Sequence, residues 1–266
     1  MLESHGGSIA RLTLNRPESR NSLSTAMLRQ LIEAVSRLGD SRDVRVIVLS
    51  ANGPGFCSGH DLRELTQARQ NPDGGAMFFE ETMNLCSSLM MAITRTPKPV
   101  IAEVHGIATA AGCQLVATCD LAVASDDARF ATPGVNIGLF CSTPMVALSR
   151  NVGRKASMNM LLTGDMIDAD EARVIGLVNK VVPKQNLRQT VDGLAEKITS
   201  KSPAILRIGK EAFYQQIDLT LPEAYRFASG VMVMNMLEAD AEEGIGAFLE
   251  KRLPTWNVDQ ERCGDT

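Results

Sequence analysis

An α/β fold that ends in a helical region is predicted from three features of the 266-residue sequence. Residues 9–14 alternate apolar and polar side chains, as a half-buried strand does. Residues 44–49 and 100–104 are short, nearly continuous β-branched runs, typical of strands buried on both faces. After about residue 143 nearly every segment has helical spacing. Strands and helices therefore alternate first, and helices alone finish the chain.

The element boundaries follow from local signals. Asn15 to Pro17 breaks the first strand, and Ser22 or Ser24 is expected to cap the helix that follows. A further strand is predicted at residues 121–124, after a helix that ends near Thr118. Seven later helices are predicted, at residues 145–151, 155–162, 169–175, 187–199, 203–214, 221–237 and 239–251. Their periodicity also fits a simple helical bundle.

Composition and charge exclude several classes of partner. The chain is 44% hydrophobic and 22% charged, as ordinary globular proteins are. A net charge of −4 and a pI near 5.5 provide no broad basic surface, so nucleic acid and anionic membranes are not expected partners. A small basic patch for phosphates is still permitted. No apolar run approaches the roughly 18 residues that a membrane span requires.

The cysteines and histidines show no metal-like spacing. The six cysteines, which include Cys263, form no CxxC pair, and the three histidines are scattered. Reduced thiols and no bound metal are therefore expected. The first residues lack both the basic-then-apolar signal pattern and an Arg/Ser-rich transit pattern, which predicts a cytoplasmic protein.

Two glycine-rich segments carry the candidate chemistry. Residues 55–62 (GFCSGHDL) follow a buried strand, and residues 105–115 (HGIATAAGCQL) lead into a helix. Glycines let the backbone approach a ligand, and N–H groups at a helix start favour negative charge. Two such N–H groups from separate loops can form an oxyanion hole. Taken singly, the first segment also fits a plain turn capped by Asp61, and the second fits close helix packing.

Together the two segments resemble the signature of the crotonase (enoyl-CoA hydratase/isomerase) superfamily. The resemblance extends over about residues 8–256, and the sequence looks especially like the enoyl-CoA hydratase domain-containing subgroup. Further matching stretches are NRPESRNSLS, FATPGVNIGLF, LLTGDMIDADEARVIGLVNKVV and EEGIGAFLEKR.

The resemblance implies a fold, a domain division and an assembly. The family's fold is a superhelix of β-β-α turns followed by a helical region that forms trimers, often paired into hexamers. It implies a crotonase core over residues 1–200 and a helical oligomerisation region over residues 201–266. A homotrimer or a dimer of trimers is expected.

The resemblance also implies binding and oxyanion residues. The backbone N–H groups of His60 and Ala111 match the oxyanion donors. Coenzyme A contacts are implied at the positions Ser19, Arg20, Ser22, Ser58, His60, Asp61, Leu62, Ala111, Gly112 and, from a neighbouring subunit, Lys251. The ligand implied is a coenzyme A thioester as substrate, with no permanently bound cofactor.

Both catalytic carboxylates of the family's hydratases are missing. Gln114 and Gly134 stand where those enzymes have glutamates. A positioned general acid or base contributes about 10² to 10⁴ in rate, and paired effects do not add, so two-glutamate hydration is not expected. Candidate replacements are His60, Glu80, Glu81, Asn136, Cys141 and Ser142, each of which also fits a structural role.

Two classes of function remain open from the sequence. The first is an enzyme that forms a thioester enolate, for hydration, isomerisation, decarboxylation or thioester cleavage. The second is a catalytically degenerate acyl-CoA-binding protein. Restoring both glutamates is expected to raise crotonyl-CoA hydration, unless other groups have filled the space at position 134.

Overall fold

The computed structural model describes residues 1–256, and within that range the predicted α/β architecture is confirmed. The strands are β1 (Leu2–Gly6), β2 (Ile9–Leu14), β3 (Val46–Ala51), β4 (Val100–Val104), β5 (Ile107–Thr109), β6 (Leu121–Ser125), β7 (Arg129–Ala131), β8 (Ile167–Asp168) and β9 (Lys180–Val182). The first helices are α1 (Thr25–Asp40), α2 (Leu62–Ala68), α3 (Ala76–Arg95), α4 (Ala111–Thr118), α5 (Pro144–Asn151) and α6 (Arg154–Thr163). The remaining helices are α7 (Ala169–Val174), α8 (Leu187–Thr199), α9 (Pro203–Gln216), α10 (Leu221–Met236) and α11 (Ala239–Glu250). Short 3₁₀ helices cover Pro17–Ser19, Pro133–Ile137 and Lys184–Asn186.

The strands form two sheets. The larger sheet has the order β1-β2-β3-β4-β6-β9 and the smaller one the order β5-β7-β8. In the larger sheet β1 is antiparallel to β2, and the other neighbours are parallel. Parallel neighbours end at the same edge of a sheet. The two glycine-rich segments follow β3 and β4, so they begin at the same edge.

The two faces of β3 explain its continuous apolar sequence. Successive side chains of a strand point to opposite faces, and here both faces are covered. Ile47 and Leu49 lie in the main core, while Val46 and Val48 pack in a second core. The α8 residues of that second core are Leu187, Val191 and Ala195.

Of the two serines predicted to cap the helix after β2, Ser24 is the one that caps α1. The Ser24 hydroxyl accepts a hydrogen bond from the Met27 N–H at 3.2 Å. Such a cap contributes about 1 kcal/mol to stability. The Ser22 hydroxyl instead donates to the Asp61 carboxylate at 3.3 Å, and this bond connects the loop after β2 to the loop after β3.

Two short strands lie in the region that was expected to hold helices alone. These are Ile167–Asp168 and Lys180–Val182, which add to the edges of the two sheets. Strands of two and three residues are too short to produce an alternating pattern. Their pairing with β7 and β6 comes from the tertiary packing.

A buried ion pair fastens the helical tail to the core. Lys210 of α9 is 7% exposed at its side chain, and its ammonium donates to Asp120 at 2.7 Å. The same ammonium donates to the carbonyls of Ile93 and Lys98, each at 2.9 Å. All three of its protons therefore have acceptors, which is what a buried ammonium requires.

The boundary near residue 200 stays a prediction. The Trp256 indole donates to the Ser200 carbonyl at 2.8 Å, and the Ser202 hydroxyl caps α9. Residues 257–266 of the predicted tail region lie outside the residues that the structure describes.

The Asp120 carboxylate is predicted to be the main anchor of the tail. It also accepts from the Tyr214 hydroxyl at 2.9 Å and from the Val100 N–H at 2.7 Å. Asp120→Ala would leave the buried Lys210 ammonium without its counter-charge, so it should lower the free energy of unfolding by about 3–5 kcal/mol. Urea unfolding measures this change. The matched control is Asp170→Ala, because its exposed pair with Arg173 should contribute less than about 1 kcal/mol; equal losses for both variants would contradict the prediction.

Candidate active site

Backbone hydrogen bonds join the two glycine-rich segments into one structure. The Cys57 N–H donates to the Ile107 carbonyl at 3.0 Å, and the Thr109 N–H donates to the Cys57 carbonyl at 2.9 Å. The Thr109 hydroxyl also donates to the Ser58 carbonyl at 3.2 Å. The loop after β3 therefore pairs with β5 immediately before α4 begins.

Two glycines permit this close approach. A Cβ atom on Gly112 would lie 2.2 Å from the Cys57 carbonyl oxygen, which no side chain tolerates. Gly59 has a φ of +96°, and a Cβ there would lie 2.9 Å from the Ala110 Cβ and 3.4 Å from the Ala111 nitrogen. The residue before His60 is thus in direct contact with the start of α4.

The contact leaves two backbone donors free. Leu23 forms a parallel β-bridge with the loop after β3. Its N–H donates to the Gly59 carbonyl, and its carbonyl accepts from the Asp61 N–H. In such a parallel bridge the N–H of the central residue, His60, points to the other side. Ala111 is the first residue of α4, where helix N–H groups lack intrahelical acceptors. Within residues 1–256, no hydrogen bond uses the N–H of either residue.

Backbone strain at Ala110 accompanies the free donor of Ala111. Ala110 precedes α4 with φ of 50° and ψ of −119°, a conformation that L-residues rarely adopt. The N–H of Ala110 donates to Ala131, and its carbonyl accepts the first helical bond from Gln114 at 3.0 Å. Strain of this kind is common at functional sites.

The two ring nitrogens of His60 are buried. Neither ring nitrogen has a partner among the described residues. Burial lowers the pKa of His60 below its ordinary value of 6.5, with an opposing contribution from the Leu23 backbone. The imidazole is therefore neutral at neutral pH, and it adds no charge next to the free N–H groups.

Gln114 is held on α4 with its amide oriented. The residue is 4% exposed, and its Oε1 accepts a hydrogen bond from the Cys86 thiol of α3 at 3.6 Å. It lines a largely apolar cleft of about 690 Å³ between α3, α4, α5 and α9. This cleft could not be predicted from the sequence, because it is lined by residues of helices that are distant in the chain. Examples are Met90, Val146 and Phe213.

The position of Gly134 is closed to a side chain. A Cβ atom there would lie 2.8 Å from the Leu139 carbonyl oxygen and 3.0 Å from the Cys141 sulfur. Burial raises the pKa of the Cys141 thiol, so this sulfur is not a nucleophile at neutral pH. The space beside Gly134 is thus filled by the loop that follows it.

The other candidate acid–base residues are not brought into the cleft. Asn136, Ser142, Glu80 and Glu81 are exposed, and Glu81 pairs with Arg29. The described residues contain no cluster of His, Cys, Asp or Glu that could hold a metal. Five cysteines are free thiols, and Cys263 lies outside the described residues.

The predicted coenzyme A loop adjoins the first glycine-rich segment. The Ser58 N–H donates to the Arg20 carbonyl at 3.0 Å, and the Ser58 hydroxyl donates to the Ser19 carbonyl at 3.3 Å. The Arg20 side chain is exposed and makes no hydrogen bond or ion pair within residues 1–256. Its guanidinium is therefore available for a phosphate.

Asp61 caps a helix, and Leu62 lies at the surface. The Asp61 carboxylate caps α2 through the Arg63 N–H at 3.1 Å, and Arg16 pairs with it at 3.1 Å. Leu62 is 53% exposed at the start of the same helix. The carboxylate of Asp61 thus positions the loop.

Lys251 stands apart from these loops in its own chain. It follows α11 in a left-handed conformation with φ of 57°, and it is exposed. A phosphate contact by Lys251 therefore stays a prediction that requires a neighbouring subunit.

The family is shown by direct comparison. The model of the enoyl-CoA hydratase/isomerase family matches residues 4–259. The chain belongs to this family, within the crotonase superfamily.

The particular relatives confirm the predicted subgroup and fold. The chain is 49% identical to the enoyl-CoA hydratase domain-containing protein 3 of Homo sapiens, over 94% of this chain and 80% of that protein. The crystal structure of the human protein superposes with a TM-score of 0.91 at 48% identity, covering 96% and 99% of the two chains. An enoyl-CoA hydratase structure from Mycobacterium smegmatis gives a TM-score of 0.92 at 50% identity, covering 96% and 98%. The crotonase-like fold with its C-terminal helical region is thus confirmed.

The expectation of a cytoplasmic location is wrong. The relatives called enoyl-CoA hydratase domain-containing protein 3 are named mitochondrial, which contradicts this expectation. The expectation rested on the composition of the first residues alone. Within residues 1–256, none of the helices combines the length and the hydropathy that a membrane span requires.

The buried neutral imidazole of His60 predicts a pH dependence. Because the pKa of His60 is lower in the folded chain, the unfolded chain takes up this proton first as the pH falls below about 6.5. The free energy of unfolding should therefore fall below that pH and should not depend on this group above it. Urea unfolding of the wild type and His60→Gln across pH 5–8 measures the difference, roughly the range in which histidine titrates. The control is His105→Gln, whose ring bonds the Gly53 carbonyl; a His60→Gln variant with the wild-type pH profile would contradict the prediction.

Proposed function

We propose that this chain binds an acyl-CoA thioester and holds its carbonyl oxygen with the backbone N–H groups of His60 and Ala111. The observation that carries the proposal is that two N–H groups without partners in residues 1–256, one in the loop after β3 and one at the start of α4, lie in segments hydrogen-bonded to each other. Such donors stabilise the negative charge that develops on a thioester oxygen when an enolate forms. The N-terminus of α4 adds a favourable dipole at the same position.

The coenzyme A part of the ligand is proposed to lie along the loop after β2 and the loop after β3. The Arg20 guanidinium has no partner within residues 1–256, the Arg20 carbonyl accepts from the Ser58 N–H, and Ser19 and Ser22 lie in the same loop. Guanidinium groups bind phosphate oxygens in pairs. Lys251 of a neighbouring subunit would supply a second cation.

The proposed chemistry does not depend on the two-glutamate mechanism. Hydration needs a base for the water and an acid for the α-carbon. Gln114 does not titrate in the accessible range, and the side-chain space at Gly134 is closed. An enolate-forming reaction that needs no protein base, such as loss of carbon dioxide from a thioester, suits these residues better. A catalytically inactive acyl-CoA-binding protein is the alternative, and turnover on a panel of thioesters separates the two.

Crotonyl-CoA hydration by the wild type is predicted to be far slower than the usual enzymatic range of roughly 10–10³ s⁻¹.

Butyryl-CoA should nevertheless bind, with its thioester oxygen about 3 Å from both N–H groups in a co-crystal structure. Gln114→Glu alone should restore little, because the two glutamates cooperate. Gly134→Glu should destabilise the chain, because its Cβ would meet Leu139 and Cys141. A wild-type kcat within the usual range would contradict the missing-carboxylate argument, and a thioester oxygen far from either N–H would contradict the oxyanion assignment.

The helical tail is proposed to assemble the chain into a trimer or a dimer of trimers. None of the residues of α10 is buried, although much of its surface is apolar. Its most exposed apolar residues are Leu221, Tyr225, Met232, Val233, Met234 and Met236. An apolar surface this extensive is typical of an interface between subunits.

Light scattering is expected to give a mass several times the 28.7 kDa of one chain. Val233→Glu places a charge on the apolar face of α10 and should shift the mass toward the monomer. Lys197→Glu, on the exposed side of α8, is the matched control and should not change the mass. A wild-type mass near 28.7 kDa at micromolar concentration would contradict the proposed assembly.

A further inference from the structure

The side-chain amide of Asn21 is a buried junction between two loops. Asn21 lies in the loop after β2 and is fully buried. Its Nδ2 donates to the Asn52 carbonyl at 2.8 Å and to the Gly55 carbonyl at 2.9 Å, both in the loop after β3. Its Oδ1 accepts from the Arg16 N–H at 2.8 Å. Both donors and the acceptor of the amide are therefore engaged, and one side chain connects the two loops.

Arg20 and Asn21 form a turn in the left-handed conformation. Their φ angles are 51° and 55°, in a region that asparagine tolerates and that most other side chains disfavour. Such a conformation persists only where the surroundings hold it. The Arg20 N–H donates to the Pro17 carbonyl at 3.0 Å, and the Asn21 amide fixes the next residue of the turn. The Asn21 amide thus helps to hold Arg20 in its strained conformation.

The same turn is attached to the segment that leads to the His60 N–H. The Arg20 carbonyl accepts from the Ser58 N–H at 3.0 Å, and the Leu23 N–H donates to the Gly59 carbonyl at 2.7 Å. These contacts lie one and two residues before His60. The Arg20 backbone is therefore fixed relative to the His60 N–H, and only its side chain extends into solvent.

We propose that Asn21 is a positioning residue that holds Arg20 at a fixed distance from the His60 N–H, so that binding of the coenzyme A phosphates places the thioester at that N–H. Asn21 is buried and acts through Arg20. Because the turn is ordered before the ligand binds, the phosphates bind with little further loss of loop entropy. The inference rests on the proposed function, since it requires Arg20 to contact the phosphates.

Two ligands that share a thioester and differ in their phosphates test the proposal. Butyryl-CoA carries the phosphates, whereas butyryl-pantetheine has the same acyl group and thioester without them. Calorimetry gives both dissociation constants, and their ratio measures what the nucleotide end contributes. The wild type should bind butyryl-CoA about 10- to 100-fold more tightly, the range expected of a hydrogen bond between charged groups.

Asn21→Gly removes the amide and still permits a φ near 55°, because glycine adopts this conformation freely. The variant should lower the ratio about 5-fold, which corresponds to ordering the backbone of one residue on binding. Its affinity for butyryl-pantetheine should change little. If Asn21→Gly does not fold, Asn21→Asp takes its place with the same expected loss, since it keeps the acceptor and loses both donors.

A double variant separates positioning from a general structural role. Arg20→Ala should lower the ratio about 10-fold, because it removes the phosphate contact. Asn21→Gly added to Arg20→Ala should lower the ratio little further, since Asn21 acts through Arg20. Asn15→Ala is the matched control and should keep the wild-type ratio. Asn15 lies in the same loop and accepts from the Asn52 side chain at 3.0 Å, but it is exposed.

Two results would overturn the inference. One is an Asn21→Gly variant that keeps the wild-type ratio, either because it binds both ligands normally or because it weakens both equally. The other is an undiminished further loss when Asn21→Gly is added to Arg20→Ala. A wild type that binds neither ligand, or binds both equally, fails at the proposed function itself, so that failure is distinct from a failure of positioning.

Discussion

The close approach of two loops at Gly59 and Gly112 is the constraint on which the rest of the site depends. A side chain at Gly112 would collide with the Cys57 carbonyl, and one at Gly59 would press on Ala110. Because both are glycines, the loop after β3 pairs with β5 and α4 begins beside it. The free N–H groups of His60 and Ala111 result directly from this pairing, since neighbouring residues make the hydrogen bonds of the contact.

The site that this contact creates contains donors and little charge. His60 is neutral because burial lowers the pKa of its ring, and Gln114 contributes a neutral amide. The nearby Asp61 is engaged by Arg16 and by the N-terminus of α2. Preorganised N–H groups in such a neutral site favour an oxyanion, because no fixed negative charge opposes it. This neutrality supports the proposed enolate stabilisation over acid–base chemistry.

The helical tail contributes to the site as well as to the proposed assembly. The Lys210–Asp120 pair holds α9 against α3 and β4, and this places Phe213 and Tyr214 at the wall of the cleft. The next helix, α10, leaves its apolar residues exposed. The tail is thus anchored to its own core through α9. The exposed apolar residues of α10 fit the proposed contact with other subunits.

The sequence by itself determined the strands β2, β3, β4 and β6, most of the helices after residue 143 and the glycines of both loops. These depend on local periodicity and on the identity of single residues, which can be read directly. Only the tertiary structure decided that Leu139 and Cys141 fill the space at Gly134, that Arg16 engages Asp61, and that Cys86 orients Gln114. Two of these contacts join side chains from segments distant in the sequence, and the other folds a loop back onto Gly134. No pattern within one segment specifies such a meeting, because it depends on the relative positions of elements distant in the chain.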